Sequence, residues 1–483
     1  MRAQPLAARR HGLYDACGVF GIYAPGLDVA RLTYFGLYAL QHRGQESAGI
    51  AVADEDGQVT VVKELGLVSQ VFDERTLASL VGTHAIGHVR YSTTGSTQWQ
   101  NSQPLVRPRN GSVIALGHNG NLVNTNELRE ELIRQGVQFS SATDTEVITA
   151  LIAQTVDGDL MAATKAAVAR IHGAFSATLL TSDAVAGFRD PYGVRPLCLG
   201  DLDGHHVLAS ESAALDILGA RLVREVEPGE IVLIDRDGLR SDRVELDGAR
   251  PAMCIFEYIY FARPDSRLHG RTLHECRQNM GRHLAHEAPV EADLVIPVPD
   301  TGIPAAIGYS LESGIPYAEG LIKNRYVYRT FIQPDQQLRE VGIKMKLNPL
   351  TSVIEGKRLV VVDDSIVRGT TTRKIVSMLF EAGAREVHLR ISSPPICYPC
   401  FYGIDMATRA ELVAASHDVD EIRRLVGATS LHYLTLEGLQ ASTGLPKEYF
   451  CRACFDGDYP IEVPEELAMC KMRFEGSTAR CLP

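Results

Sequence analysis

The run LVVVDDSIVRGTTTR, residues 359–373, constrains this chain more than any other stretch. Four apolar residues, Leu359 to Val362, call for burial as a central strand, and the adjacent carboxylates Asp363 and Asp364 follow at its carboxyl end. A loop of small and hydroxyl residues then leads into an amphipathic helix carrying Ile375, Met378 and Leu379, with Gly383 as its C-cap. Backbone N–H groups at a helix N-terminus, flanked by threonine hydroxyls, form a phosphate cradle. Two carboxylates in an anion-binding loop suit ribose hydroxyls or a hydrated magnesium ion, which takes one or two protein carboxylates and completes its shell with water and phosphate oxygens. A capped helix at a surface turn would explain the hydroxyls but not the step from a buried strand to a double Asp.

The grammar around that run is strand–loop–helix from about Pro251 onward: EADLVIPVPDTGIPAAIGYSLESG, then residues 357–384, then EVHLRISSPP. Such alternation predicts a parallel sheet with ligands at its carboxyl edge. Before residue 250 the pattern is different, with short strands, helices and glycine-rich turns that fit an α+β sandwich, its strands facing helices on one side and polar loops on the other. At 483 residues two domains are expected, with the boundary near Arg250. A net charge of −11 without a long basic run argues against a nucleic-acid partner. No apolar stretch reaches the roughly 18 residues of a membrane span, and the leader has no secretory apolar core. A cytoplasmic location with ten reduced cysteines is the expectation.

Cys17 stands between a polar leader, residues 1–16, and the apolar strand CGVFGIYA. A cysteine at such a seam can become a new N-terminus, its thiol beside an α-amine whose pKa, roughly 7.7–8.0, suits a general base. The plainer alternative is a small buried thiol behind a loose tail. Four separated polar segments, three of them glycine-rich, favour the first: LQHRGQESAGIAV, GHVRYSTTG, LGHNGNLVN and ATDTEV. Arg90 suits a substrate carboxylate and Asp144 a substrate amino group. Asn119 with the Gly120 N–H suits an oxyanion hole, where loss of one donor costs about 2.7–4 kcal/mol. With Cys17 they describe hydrolysis of the glutamine side-chain amide.

Residues 359–373 resemble the signature of the type I phosphoribosyltransferases, which bind phosphoribosylpyrophosphate (PRPP). The resemblance implies ribose and magnesium contacts at Asp363 and Asp364, and a 5-phosphate held by Ser365 to Thr372, among them Arg368, Gly369, Thr370 and Thr371. It implies a pyrophosphate loop at Pro299–Gly302, with Asp300 and Thr301 at PRPP and Thr301 also at magnesium. A flexible loop would span residues 321–350, its cations Lys323, Arg325, Arg329, Lys344 and Lys346 facing the leaving group. Tyr328, Gly302 and Pro304 depart from that family's usual pattern.

From Cys17 to about Ser212 the chain resembles the N-terminal-nucleophile, or class II, glutamine amidotransferases. That implies an αββα sandwich, glutamine binding by Arg90, Thr93 and Asp144, and an oxyanion hole at Asn119 and Gly120. The two resemblances together point to the glutamine phosphoribosylpyrophosphate amidotransferases, which open purine synthesis, and cover residues 17–460. The organisation expected is a propeptide over 1–16, a glutaminase domain over 17–250, a phosphoribosyltransferase domain over 251–450, and a C-terminal segment over 451–483. The family implies a homotetramer inhibited by purine nucleotides. The alternatives are another class II amidotransferase, which would need a different acceptor domain, and a non-catalytic PRPP-binding regulator.

Cys397-x-x-Cys400 and Cys451-x-x-Cys454 have the spacing of a four-cysteine zinc site. The family resemblance implies another quartet, Cys254, Cys400, Cys451 and Cys454, holding a 4Fe–4S cluster in the branch that also carries a leader.

Overall fold

The computed structural model describes residues 17–91, 98–109, 112–155, 159–324, 347–404, 408–465 and 467. The residues after Cys17 form the strand Gly18–Tyr23, buried throughout except for its last position. Its side chains alternate: Val19 enters a layer between two sheets, while Phe20 and Ile22 enter a layer beneath a helix. Gly21 lies on the same side as Val19, where an added Cβ would stand 3.1 Å from Val185. The residue pattern alone pointed to polar loops opposite the helices; the second sheet found there is the one that the αββα resemblance implies. The cause is visible in this strand, whose second face carries valine and glycine rather than polar residues.

The first sheet has seven antiparallel strands in the order Arg221–Glu225, Cys198–Leu202, His205–Ala209, Gly18–Tyr23, His84–Arg90, Ser47–Ala53 and Val59–Leu65. The second has six, in the order Gly238–Arg243, Glu230–Asp235, Ala184–Arg189, Gly173–Leu180, Ser112–Leu122 and Leu105–Arg109. The helix Val29–Ala39 covers the outer face of the first sheet, and Asp144–Gln154 with Leu160–Val168 cover the second. The result is the αββα sandwich.

The second unit is built on four parallel strands, Leu294–Pro297, Arg358–Asp363, Glu386–Ile391 and Ser430–Tyr433. The helix Ile303–Ser313 follows the first strand and Thr370–Glu381 the second. Thr370–Glu381 buries Ile375, Val376 and Leu379 against the sheet, Met378 is buried as well, and the chain turns at Gly383, whose φ is +93°. The last strand of the sandwich ends at Arg243. The next strand, Met253–Cys254, pairs in parallel with Phe450–Cys451, so the C-terminal segment is stitched to the start of the second unit.

The two units share a core. One apolar cluster joins Val123, Ala174 and Val194 of the sandwich to Met253, Phe256, Tyr258, Phe401 and Phe455. Ionic groups are buried at the same seam. Arg43, fully buried, pairs with Glu211 and with Glu257, and Arg195 approaches Glu257 at 3.5 Å. Burial pushes the Glu211 carboxyl up, but Arg43, His42 and the hydrogen bonds from His42 and Ser266 outweigh it and hold it well below the usual glutamate range. A depressed carboxyl stabilises the fold above its unfolded pKa, and that contribution disappears as pH falls through the folded value. Stripping one partner from a buried pair of this kind costs about 3–5 kcal/mol. The domains are therefore fixed to one another rather than merely tethered.

Candidate active sites

Cys17 immediately precedes the strand Gly18–Tyr23, which pairs with His84–Arg90 in the register Gly18 to Val89. That register brings Arg90 and Tyr91 beside the thiol. The Cys17 Sγ lies 3.4 Å from both the Tyr91 carbonyl, to which it donates, and the Tyr91 N–H, from which it accepts. Asn119 and Gly120 come from the facing sheet, on Ser112–Leu122. Asp144 opens the helix Asp144–Gln154; it accepts from the Leu122 N–H at 3.1 Å and the Thr145 N–H at 2.9 Å. Cys17, Arg90, Gly120 and Asp144 line one small pocket.

Burial pushes the Cys17 thiol up from its ordinary value, and the hydrogen bond from Tyr91 and the charge of Arg90 only partly oppose that. The thiol is therefore protonated at neutral pH and needs a base. Burial also raises the Asp144 carboxyl, but His118 and the two backbone N–H groups more than offset it, so Asp144 stays ionised. Asn119 is fully buried, and neither polar atom of its amide has a hydrogen-bond partner. Such an atom costs about 1–3 kcal/mol, a cost that fits a donor held ready for a reacting oxygen.

Gln103, His118 and Thr143 also line this pocket and were not singled out from the sequence. His118 stands 3.6 Å from Asp144, and Gln103 accepts from the His118 N–H at 2.7 Å. Burial pushes His88 down to about 3, leaving it neutral, and its ring donates to the His118 carbonyl at 3.0 Å. The available signal was the histidine next to each glycine in GHVRY and GHNG. Thr93 lies outside the described residues.

The second site gathers at the carboxyl edge of the parallel sheet. Pro297 pairs with Val362, so the loops after Leu294–Pro297 and Arg358–Asp363 leave side by side. Thr301 from the first loop and Ser365 from the second both donate to Asp364, and the Asp364 N–H donates to Asp363 at 2.9 Å. Lys323 pairs with Asp300. Burial, and then the neighbouring charge of Asp364, pushes the Asp363 carboxyl well up, and burial raises Asp364 as well. Two crowded carboxylates of this kind favour a cation. Gly369 has φ of +74° at the start of Thr370–Glu381, leaving Thr370 and Thr371 exposed. Arg368 is engaged by Glu411 at 2.6 Å. The two departures in the first loop have structural causes. A Cβ at Gly302 would stand 2.6 Å from the Val362 carbonyl, and Pro304 occupies the first turn of Ile303–Ser313, where proline is favourable. Arg325, Tyr328, Arg329, Lys344 and Lys346 lie outside the described residues.

Cys254, Cys400, Cys451 and Cys454 line one small pocket, together with Val194, Arg195 and Tyr402. The Cys254–Cys451 strand register builds one side of it. Cys397 turns away, its thiol 3.4 Å from the Ala414 carbonyl. Burial, followed by Glu257 and Cys400, pushes Cys254 up to about 12; burial and the neighbouring cysteines push Cys451 and Cys454 well above their usual range. Among the described residues no three His, Cys, Asp or Glu side chains converge closely enough to hold one metal ion. Four cysteines lining one pocket are the donor set that a 4Fe–4S cluster takes, and its irons would stabilise the thiolates.

A glutamine amidotransferase domain family matches residues 88–217. The amidophosphoribosyltransferase of Mycobacterium tuberculosis is 55% identical over 469 residues, covering 95% of this chain and 88% of the relative. That of Synechocystis is 56% identical over 471 residues, covering 96% and 95%. Among solved structures, an allosteric regulatory enzyme of purine biosynthesis matches with a TM-score of 0.88 and 49% identity, covering 93% of this chain and 97% of its own. The glutamine PRPP amidotransferase of Bacillus subtilis, complexed with ADP and GMP, matches with 0.87 and 48%, covering 93% and 98%.

Proposed function

The chain belongs to the amidophosphoribosyltransferase family, and from that premise we propose how its own residues divide the reaction. The enzyme transfers the amide nitrogen of glutamine to PRPP, giving 5-phosphoribosylamine, pyrophosphate and glutamate, the first committed step of purine synthesis. The reading rests above all on one observation: Cys17, Arg90, Gly120 and Asp144 come from distant parts of the sequence and line one pocket.

Arg90 takes the carboxylate of glutamine and Asp144 its ammonium, which sets the side-chain amide against Cys17, with Thr93 a further glutamine contact. Removal of residues 1–16 frees the Cys17 α-amine. That amine accepts the thiol proton, the sulfur attacks the amide carbon, and the new oxyanion is held by Asn119 and the Gly120 N–H. The amine returns the proton to nitrogen as the C–N bond breaks, releasing ammonia and leaving a thioester. Water then hydrolyses the thioester to glutamate. At the second site ammonia attacks C1 of PRPP and pyrophosphate leaves. Asp363 and Asp364 bind the ribose hydroxyls, Ser365 to Thr372 the 5-phosphate, and Asp300, Thr301 and Lys323 the pyrophosphate. Magnesium, held at Thr301, Asp363 and Asp364, would supply charge neutralisation for the leaving group. Mass spectrometry of active enzyme is expected to find Cys17 as the first residue. Glutamine turnover by a chain that still begins at Met1 overturns this assignment.

We also propose that Cys254, Cys400, Cys451 and Cys454 hold a 4Fe–4S cluster that ties the C-terminal segment to the domain seam. Anaerobically purified protein should then carry iron and acid-labile sulfide in equal amounts with a broad visible absorption, and Cys451→Ser should lose both. Protein with full ammonia-dependent activity but neither iron nor sulfide would refute the cluster. A homotetramer in the cytoplasm, inhibited by purine nucleotides, completes the reading. The ADP and GMP on the Bacillus subtilis relative support the inhibitor class. No helix among the described residues is long and apolar enough to cross a membrane.

A further inference from the structure

The oxyanion strand is not enclosed by its own sheet alone. Gly120 has φ of +140° and pairs with Phe175, and a Cβ added to it would lie 1.9 Å from the Ala174 carbonyl oxygen. A second backbone presses on Gly120 from far along the chain, the Cys400–Ile404 segment of the second unit. A Cβ at Gly403 would stand 2.7 Å from the Gly120 carbonyl carbon, 2.9 Å from its Cα and 3.0 Å from its carbonyl oxygen. Gly403 itself has φ of +99°, a conformation other residues adopt only under strain. The Cys400–Ile404 main chain can press this closely on Gly120 only because position 403 carries no Cβ.

The pressing segment is held firmly. Asn121, next to Gly120, donates from Nδ2 to the Phe401 carbonyl at 2.9 Å. Arg195, fully buried, donates to the Tyr402 carbonyl from Nε at 3.1 Å and from Nη2 at 2.7 Å. The Tyr402 hydroxyl donates to the Ile461 carbonyl and accepts from the Ile461 N–H at 3.1 Å. Phe401 and Tyr402 are buried in the core shared by the two units. The segment is thus anchored to the sandwich on one side and to the C-terminal segment on the other, with Gly403 as its point of contact on Gly120.

We propose that the Cys400–Ile404 segment is the rear wall of the oxyanion hole, with Gly403 as the positioning residue that fixes where the Gly120 N–H stands. The inference rests on the assignment of Cys17 as nucleophile and of Asn119 and Gly120 as donors. Gly403 touches no substrate and acts only through Gly120. An oxyanion donor must stand about 2.7–3.1 Å from the oxygen of the tetrahedral intermediate, and an error of about 1 Å in such a position costs about 10²-fold. The phosphoribosyltransferase half therefore supplies part of the geometry of the half that makes its ammonia.

Gly403→Ala tests this in the mature full-length enzyme. The expected result is a fall of roughly 10- to 100-fold in glutamine-dependent kcat, less than or equal to the loss on deleting a donor outright. KM for glutamine stays within about twofold, because the hole is used in the transition state rather than in the bound substrate. Ammonia-dependent kcat stays at the wild-type level, which reports an intact second site and fold. Alkylation of Cys17 by iodoacetamide keeps its rate, since that reaction needs no oxyanion hole. A glutamine-dependent kcat within threefold of wild type, or a parallel loss of both activities, overturns the proposal. If Gly403→Ala yields no soluble protein, Asn121→Ala releases the tie to Phe401 and is judged by the same split. Wild-type enzyme that is fully alkylated at Cys17 yet still hydrolyses glutamine would instead refute the nucleophile assignment, a distinguishable failure.

Discussion

Cys17→Ala is expected to abolish glutamine-dependent synthesis, a loss on the order of 10⁶-fold, while ammonia-dependent synthesis stays within about twofold of wild type. The size follows from what alanine removes. No neighbouring group in the pocket can replace the sulfur as nucleophile: Arg90 and Asp144 are the proposed partners of the substrate's charged ends, and His118 is engaged by Thr145 within the wall. The independence of the second activity follows from topology. Cys17 stands at the start of the central strand of one sheet of the sandwich, whereas Asp363 and Asp364 sit at the carboxyl edge of a separate parallel sheet. The thiol is small and already buried, so alanine leaves the adjoining strand pairing unchanged. Measuring both activities on one preparation gives the answer. Equal loss of the two would mean that the first pocket shapes the second site rather than feeding it, and the division of labour would fail.

The outcome also depends on the state of the chain. With residues 1–16 attached, the nitrogen of Cys17 is a peptide N–H and cannot take the thiol's proton. Burial has pushed that thiol up, so no appreciable thiolate forms at neutral pH without a base. Removal of the leader changes the chemistry of a group already in place.

Local features were legible where one segment carries the whole signal. The strand Arg358–Asp363, its double Asp and the helix Thr370–Glu381 follow directly from an apolar run, two carboxylates and a stripe at helical spacing. The pocket around Cys17 was legible as a set of residue types, because three separated segments contribute groups of distinct chemistry: Arg90, then Asn119 with Gly120, then Asp144. What could not be read is how backbones meet. Whether the second face of Gly18–Tyr23 meets loops or another sheet is decided by strands more than 90 residues away. Gly403 could be noticed only as one glycine among 42, since its significance lies in the Gly120 backbone, 2.7 Å from where a Cβ at position 403 would stand. The buried Arg43, Glu211 and Glu257 set reads in sequence as three ordinary surface charges, and only their mutual pairing explains why all are buried. Cysteine spacing alone favoured the pair Cys397 and Cys400; the strand register between Cys254 and Cys451 is what places the fourth thiol.

Asp363→Asn is expected to act in two opposite directions. Both glutamine-dependent and ammonia-dependent synthesis should fall together, by roughly 10²–10³-fold in kcat/KM for PRPP, the scale on which a preorganised electrostatic contact is lost. Stability in the absence of PRPP and magnesium should rise, by about 0.5–2 kcal/mol. The sign of the second effect comes from the free site. Burial and the adjacent Asp364 push the Asp363 carboxyl well above its ordinary value, so its ionised form is disfavoured in the fold relative to the unfolded chain. Asparagine removes that charge and keeps the oxygen that accepts from the Asp364 N–H. Thermal melts of ligand-free protein at neutral pH, paired with both synthesis assays, measure the two effects. A variant that loses stability as well as activity would show that Asp363 is there to hold the loop, whereas gain of one with loss of the other identifies a carboxylate kept in an unfavourable place because the ligand requires it.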